Sequence, residues 1–168
     1  LCFCNTEKLE GIQSETGADL YACDTVETDQ VQALFDSVVR NLGTPTVVVS
    51  NASSRVRGTI TEIDPDDVKK AVLITAYGGF LVGQAAAKLM VPAGRGTIMF
   101  TGASAGVKGF PMSATFAMGK FGLRGLAQSM ARELHPKNVH VVHVVVDGGI
   151  RDTSRGRVEG PNDGPDKW

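Results

Sequence analysis

Val139-His140-Val141-Val142-His143-Val144-Val145-Val146 is a run in which valine recurs without any strict polar alternation. β-branched side chains favour the extended chain, and an apolar run of this length reads as a strand covered on both faces. Strands of that kind belong to parallel sheets, whose connections are helices. Working back from this run, strands are expected at Thr97 to Thr101, Thr46 to Ser50 and Asp19 to Cys23, with a strand end at Leu1 to Cys4. The intervening stretches have helical signals. Thr6 to Thr16 is closed by Gly17, and Thr28 to Leu42 is opened by a Thr cap and closed by Gly43. Asp64-Pro65 supplies a cap and a first-turn proline for a helix running to about Val91, before Pro92. Ser113 to His135 is a further helix, stopped by Pro136. Strand and helix alternate throughout, which predicts a doubly wound parallel α/β sheet with helices on both faces over 1–150. The remainder, Arg151 to Trp168, is rich in Gly, Pro, Asp and Arg without a hydrophobic period and reads as an irregular or disordered tail.

The chain has 168 residues, 42% hydrophobic and 21% charged, which suits one globular domain with a buried core. Its formal net charge is -1 and neither sign forms a block, so nucleic acid and anionic membrane surfaces are not expected partners. Three cysteines, Cys2, Cys4 and Cys23, make an odd count without a disulfide-rich pattern, and a cytoplasmic location is expected. Cys2 and Cys4 lack the further Cys or His residues a metal site requires. The uncharged stretch Ala71 to Ala87 contains Thr75, Tyr77, Gln84 and Gly78-Gly79, and reads as a buried helix rather than a membrane span. The first residue is Leu1 and the opening residues already look like a strand, which suggests a partial chain.

In an open parallel sheet, ligands bind beyond the carboxyl ends of the strands. Those ends are Cys23-Asp24, Ser50-Asn51-Ala52-Ser53, Thr101 to Gly106, and Asp147-Gly148-Gly149-Ile150. Turn-forming residues are common at strand ends for conformational reasons alone, so each is a weak signal by itself. In this order, and followed by Phe116-Ala117-Met118-Gly119-Lys120 on a helix, they resemble the short-chain dehydrogenase/reductase family up to about Thr153. The resemblance implies a Rossmann-like three-layer sandwich, incomplete at both ends. It implies NAD or NADP as cofactor and a small carbonyl or secondary alcohol as substrate. Asp24, Asn51, Ala52, Lys120, Gly148 and Ile150 fall at its cofactor-binding positions.

The family's catalysis uses a Tyr-x-x-x-Lys pair on one helix face, where the ammonium depresses the phenol's pKa. Lys120 matches the lysine, but Phe116 occupies the tyrosine position. The serine position is Ala103, with Ser104 one place on, and the helix asparagine position is Thr75. These departures imply an impaired or atypical oxidoreductase, with Ser104 or a water as a partial substitute. The alternative is a non-catalytic dinucleotide-fold binding or oligomerisation module. The family's Gly-rich phosphate loop has no counterpart here: Thr101 to Gly106 is Gly-rich but follows the fourth strand, where the serine loop belongs. Weak cofactor affinity is the expectation, and Asn5, near the position that selects NAD from NADP, is neutral. The helices over 64–91 and 113–135 are those through which the family assembles, implying a homo-oligomer. Gly79 and Gly83 give the first of them a small-residue face suited to close packing, either within the chain or across such an interface. His135, His140 and His143 read as structural, the last two lying on opposite strand faces.

Overall fold

Asn138, in the left-handed region at φ 59°, turns the chain out of the short 3₁₀ turn His135–Lys137 and into the valine-rich strand. The computed structural model describes residues 1–4 and 6–148; Asn5, Ile150 and the expected tail over 151–168 lie outside the described residues. The element order is β1 (Cys2–Phe3), α1 (Glu10–Thr16), β2 (Tyr21–Ala22), α2 (Thr28–Leu42), β3 (Val47–Ser50), α3 (Pro65–Val72), α4 (Gly78–Ala93), β4 (Gly96–Ala103), α5 (Ala114–Leu134) and β5 (Val139–Val146). Every strand pair is parallel. β5 runs beside β4 from Gly96↔Val139 to Ala103↔Val146, β4 pairs with β3, and β1 and β2 form a separate pair. This is a Rossmann-like α/β fold.

The helices α2, α4 and α5 lie side by side over one face of the three-stranded sheet. Between them sits a core of Val31 and Phe35 from α2, Leu81, Ala86 and Met90 from α4, Ile98 and Phe100 from β4, and Leu123 from α5. Burial on β4 alternates, with Ile98, Phe100 and Gly102 inward, as a pleated strand requires. The sequence expectation that β5 is covered on both faces is corrected. Val144, on the same face as the exposed Val47 and Val49 of β3 and away from the described helices, is 40% exposed, and Val145, on the helix face but at the carboxyl end of the strand, is 44% exposed.

Gly79 and Gly83 resolve the small-residue face of α4. A Cβ on Gly79 would collide with Leu123 of α5, and one on Gly83 would lie 2.9 Å from the Phe100 ring and 3.1 Å from Met130. The close approach is therefore within the chain, α4 pressed onto β4 and α5. The helix expected over 64–91 also differs in detail. Asp64 caps it as predicted, accepting from the Asp66 N–H at 2.8 Å, but a π-helical turn at Leu73–Tyr77 interrupts it. Pro92 falls inside its last turn, where one missing N–H is tolerated, and Gly94 at φ 63° closes it. α2 keeps its predicted span, but its cap residue is Glu27 rather than Thr28. The strands expected at Leu1 to Cys4 and Asp19 to Cys23 shorten to two residues each, since each has one neighbour among the described residues.

Pro65–Ala93 is long and apolar enough to cross a membrane by composition. Its Ala71, Leu81, Ala86 and Met90 are in the protein core, which supports the reading as a core helix.

Candidate active site

β4 ends at Thr101-Gly102-Ala103, a 3₁₀ turn follows at Ser104–Gly106, and α5 returns alongside. Gly106 makes this return tight: a Cβ there would sit 3.0 Å from the Lys120 backbone carbonyl oxygen. Arg124 adds a second tie, its guanidinium donating to the Gly106 carbonyl at 3.3 Å. The packing sets Lys120, 3% exposed, against the end of β4, where its Nζ donates to the Thr101 carbonyl at 2.6 Å. Burial pushes the ammonium down to about 8, since a low-dielectric surround disfavours the charged form.

Phe116 is one helical turn before Lys120 and shares its face. Lys120 Nζ stands 5.6 Å from the centre of the Phe116 ring, and the Arg55 guanidinium carbon stands 5.3 Å from it. A ring approached by two cations is held by cation–π attraction and supplies no proton. The ring forms part of the wall of a cavity of about 760 Å³. Ala103, Ser104, Asn51, Gly148 and Lys120 line the same space, so six predicted positions converge on it. Those dimensions are in the range of ligand clefts.

Three other predicted residues lie elsewhere. Thr75 is 1% exposed and sits below the cavity, in the π-helical turn. Its hydroxyl accepts from the Ser54 N–H at 3.1 Å, and Gly119 of α5 fits against it so closely that a Cβ would lie 2.8 Å from the Thr75 Cβ. Ala52 is half-buried in the loop after β3, outside the cavity lining. Asp24 follows β2 by two residues, and its carboxylate accepts from the Val26 N–H at 3.2 Å, shaping the entry to α2. Ile150 lies outside the described residues.

The sequence reading missed the chain between Ser53 and Gly58, and the loop carrying Phe110 to Ser113. Ser54 is tied to Thr75; Val56 donates its N–H to Thr115 Oγ1 at 3.3 Å and accepts the Thr115 hydroxyl at 2.7 Å; the Gly58 N–H reaches the Met112 carbonyl at 3.3 Å. Met112 adopts φ 57°, uncommon for a residue with a side chain, and lines the cavity. Ser53, Arg55 and Arg57, the residues between the ties, line it too. No hydrophobic period over 53–58 singles these residues out in the sequence.

His143 stands beside the β4 end. Its Nε2 is buried with no hydrogen-bond partner among the described residues, and burial, then Arg124 and Lys120, hold its pKa below the ordinary histidine value. Cys23 is buried and its thiol is pushed up to about 12 by burial, which makes it a packing residue. Among the described residues no group of three or more His, Cys, Asp or Glu side chains suits a metal ion.

The donor set fits the nicotinamide end of a dinucleotide. Asn51, Ser104 and Lys120 all line one cavity, and so does Gly148, which at φ 114° carries no side chain. No Gly-rich loop opening a helix, of the kind that cradles a pyrophosphate, occurs among the described residues.

Residues 4–168 match the family described as enoyl-(acyl carrier protein) reductase. The chain belongs to the short-chain dehydrogenase/reductase family. Trans-4-hydroxycyclohexanecarboxylate dehydrogenase of Sinomonas cyclohexanicum is 33% identical over 118 residues, covering 70% of this chain and 45% of that protein. The chain spans about half the length of the curated relatives it matches. Among solved structures, NAD+-bound xylitol dehydrogenase superposes with a TM-score of 0.82 at 29% identity, over 86% of this chain and 58% of the other. A metagenomic short-chain oxidoreductase in complex with NADP has a TM-score of 0.82 at 28% identity, over 86% and 68%.

Proposed function

We propose that the cavity is the nicotinamide end of a hydride-transfer site acting on a small carbonyl compound or secondary alcohol. One observation carries the reading: a buried lysine, fixed on the Thr101 carbonyl, opens onto the same cavity as Asn51, Ser104 and Gly148. Bound there, a nicotinamide supplies or accepts the hydride. Lys120 holds a ribose hydroxyl with one of its three protons while a second stays on Thr101. Phe116 excludes water from the reacting face but leaves the substrate oxygen without a proton partner. Ser104, one residue beyond the family's serine position, is the hydroxyl left to polarise that oxygen. Relatives bound to NAD+ and to NADP support a nicotinamide dinucleotide and leave open which of the two. The hydroxycyclohexane compound named for the Sinomonas relative supports a secondary alcohol as one substrate form.

The test is turnover of NADH and NADPH by the full-length protein against a panel of aldehydes and ketones, beside a Phe116→Tyr variant. Slow turnover in the natural protein, rising by about 10²- to 10⁴-fold with the phenol restored, is the expected result. Silence in both proteins removes the hydride-transfer reading. A second reading, a non-catalytic module, is favoured by Phe116 alone; it predicts activity only in the variant.

Tyr77 and Phe80 of the Pro65–Ala93 helix stack with ring centroids 6.2 Å apart and are half-exposed, as are Met118 and Phe121 of α5. These outward residues are the proposed homo-oligomer contacts, tested by sedimentation of wild type and a Phe80→Glu/Phe121→Glu variant. The free cysteines suit the cytoplasm.

A further inference from the structure

Phe110, Pro111 and Met112 stand on the loop between the 3₁₀ turn Ser104–Gly106 and α5, and all three line the cavity together with Phe116. Met112 is the outlier among them. Its φ of 57° lies in the left-handed region, which disfavours any residue with a Cβ, and Asn138 is the only other described non-glycine residue with a positive φ. The backbone is held in that shape: the Met112 carbonyl accepts from the Gly58 N–H at 3.3 Å, and the next residue, Ser113, is 2% exposed. Glycine would take the same turn without strain, so the turn itself does not call for methionine. Burial does not offset the strain either, because among the described residues Met112 stays 48% exposed. A half-exposed apolar side chain on a strained backbone at a cavity wall suits a contact made when the site is filled.

Phe116 adds to this apolar lining. A tyrosine at that position would set a hydroxyl in the cavity wall, and the Phe116 ring sets none. Ser104 and Lys120 line the same cavity, so it has polar groups for a reacting oxygen and apolar surface for the body of a ligand. Apolar surface open to water gains most from a ligand that covers it. Resting on the hydride-transfer reading above, we infer that the substrate carries a bulky apolar group, aromatic or alicyclic, on its carbonyl or carbinol carbon, and that Met112, with Phe110, selects it. Met112 binds and orients; it takes no part in proton or hydride movement. Its unbranched thioether side chain adapts to the outline of a ring better than a branched one. The nicotinamide is itself a flat ring that the same wall would cover, so a test must separate the two occupants.

NMR titration of the full-length protein with cyclohexyl methyl ketone, with acetone and with NAD+ does this, repeated on Met112→Gly and Met112→Leu variants. The two ketones share a reacting group and differ in apolar bulk. In the natural protein and in Met112→Leu the cyclohexyl ketone is expected to bind about tenfold or more tightly than acetone. In Met112→Gly that ratio falls by about threefold or more, while acetone and NAD+ keep their affinities. The thermal midpoint of Met112→Gly is expected to be unchanged or raised, since glycine adopts the left-handed backbone freely. Equal binding of the two ketones, no binding of either, a ratio surviving in Met112→Gly or a ratio lost in Met112→Leu overturns the inference. So does a lowered thermal midpoint in Met112→Gly, which assigns Met112 to packing, or a loss of NAD+ affinity there, which assigns it to the nicotinamide. Binding is read without turnover, so a silent hydride-transfer assay with the ketone ratio intact separates failure of the catalytic reading from failure of this one.

Discussion

Lys120 Nζ donates to the carbonyl oxygen of Thr101 at 2.6 Å, joining the middle of α5 to the end of β4 by a charged donor that burial has pushed down to about 8 from 10.5. An amine with a lower pKa in the folded state binds fewer protons there than in the unfolded chain, between those two values. Stability then rises with pH across that window, as the cost of burying the charge is relieved. Urea unfolding at pH 7.5 and pH 9.5 is expected to show this rise in the natural protein and its loss in a Lys120→Met variant. An unchanged slope in the variant assigns the rise to another group.

The glycines of the two long helices behave oppositely. Gly79→Ala forces a methyl into Leu123 and is expected to cost about 1–3 kcal/mol through overpacking. Gly125→Ala, in α5 with nothing within 4 Å of the added carbon, is expected to stabilise by about 0.5–1 kcal/mol through helix propensity. Chemical denaturation of both variants decides, and the prediction fails if the signs agree.

Thr115 is 0% exposed and both gives and takes a hydrogen bond with Val56. Thr115→Val keeps the shape but strands the Val56 N–H and carbonyl, at about 1–3 kcal/mol. Faster amide exchange at Val56, confined to residues near it, is the expected signature. Uniform loss of protection across the chain instead marks a global effect.

His143 has the reverse sign to an ion-paired histidine. With its folded pKa lowered, the unfolded chain binds its proton first, so stability is full above about pH 6.5 and falls as pH drops below that value. His143→Leu removes both the buried nitrogen and this sensitivity. Thermal melts at pH 5 and pH 7.5 are expected to converge in the variant and diverge in the natural protein.

Much of the fold was readable from end signals. β5 matches its expected span because Pro136 stops the helix before it, and α2 matches because Gly43 stops it. The first two strands were overextended because a sequence shows propensity for extension but not the number of neighbours that will hydrogen-bond it. The π-helical turn at Leu73–Tyr77 was invisible, since Thr75 has no unusual local propensity; its hydroxyl's tie to Ser54 is a tertiary fact. In the site, Phe116, Lys120, Ala103, Ser104, Asn51 and Gly148 were legible from strand ends and helical spacing. Arg55 and Arg57 were not, because the segment after β3 has no period in hydrophobicity, only in the destinations of its hydrogen bonds.

That segment imposes a reading frame on recognition. With anchors at 54, 56 and 58 and display at 53, 55 and 57, point changes at the displayed positions can exchange one ligand preference for another while the backbone stays put. Insertion or deletion of a single residue does something different: it swaps the two edges, turning arginines toward Thr75 and Thr115 and valine toward the cavity. Substitution can therefore tune this wall gradually, whereas a shift in length by one abolishes it in a single step.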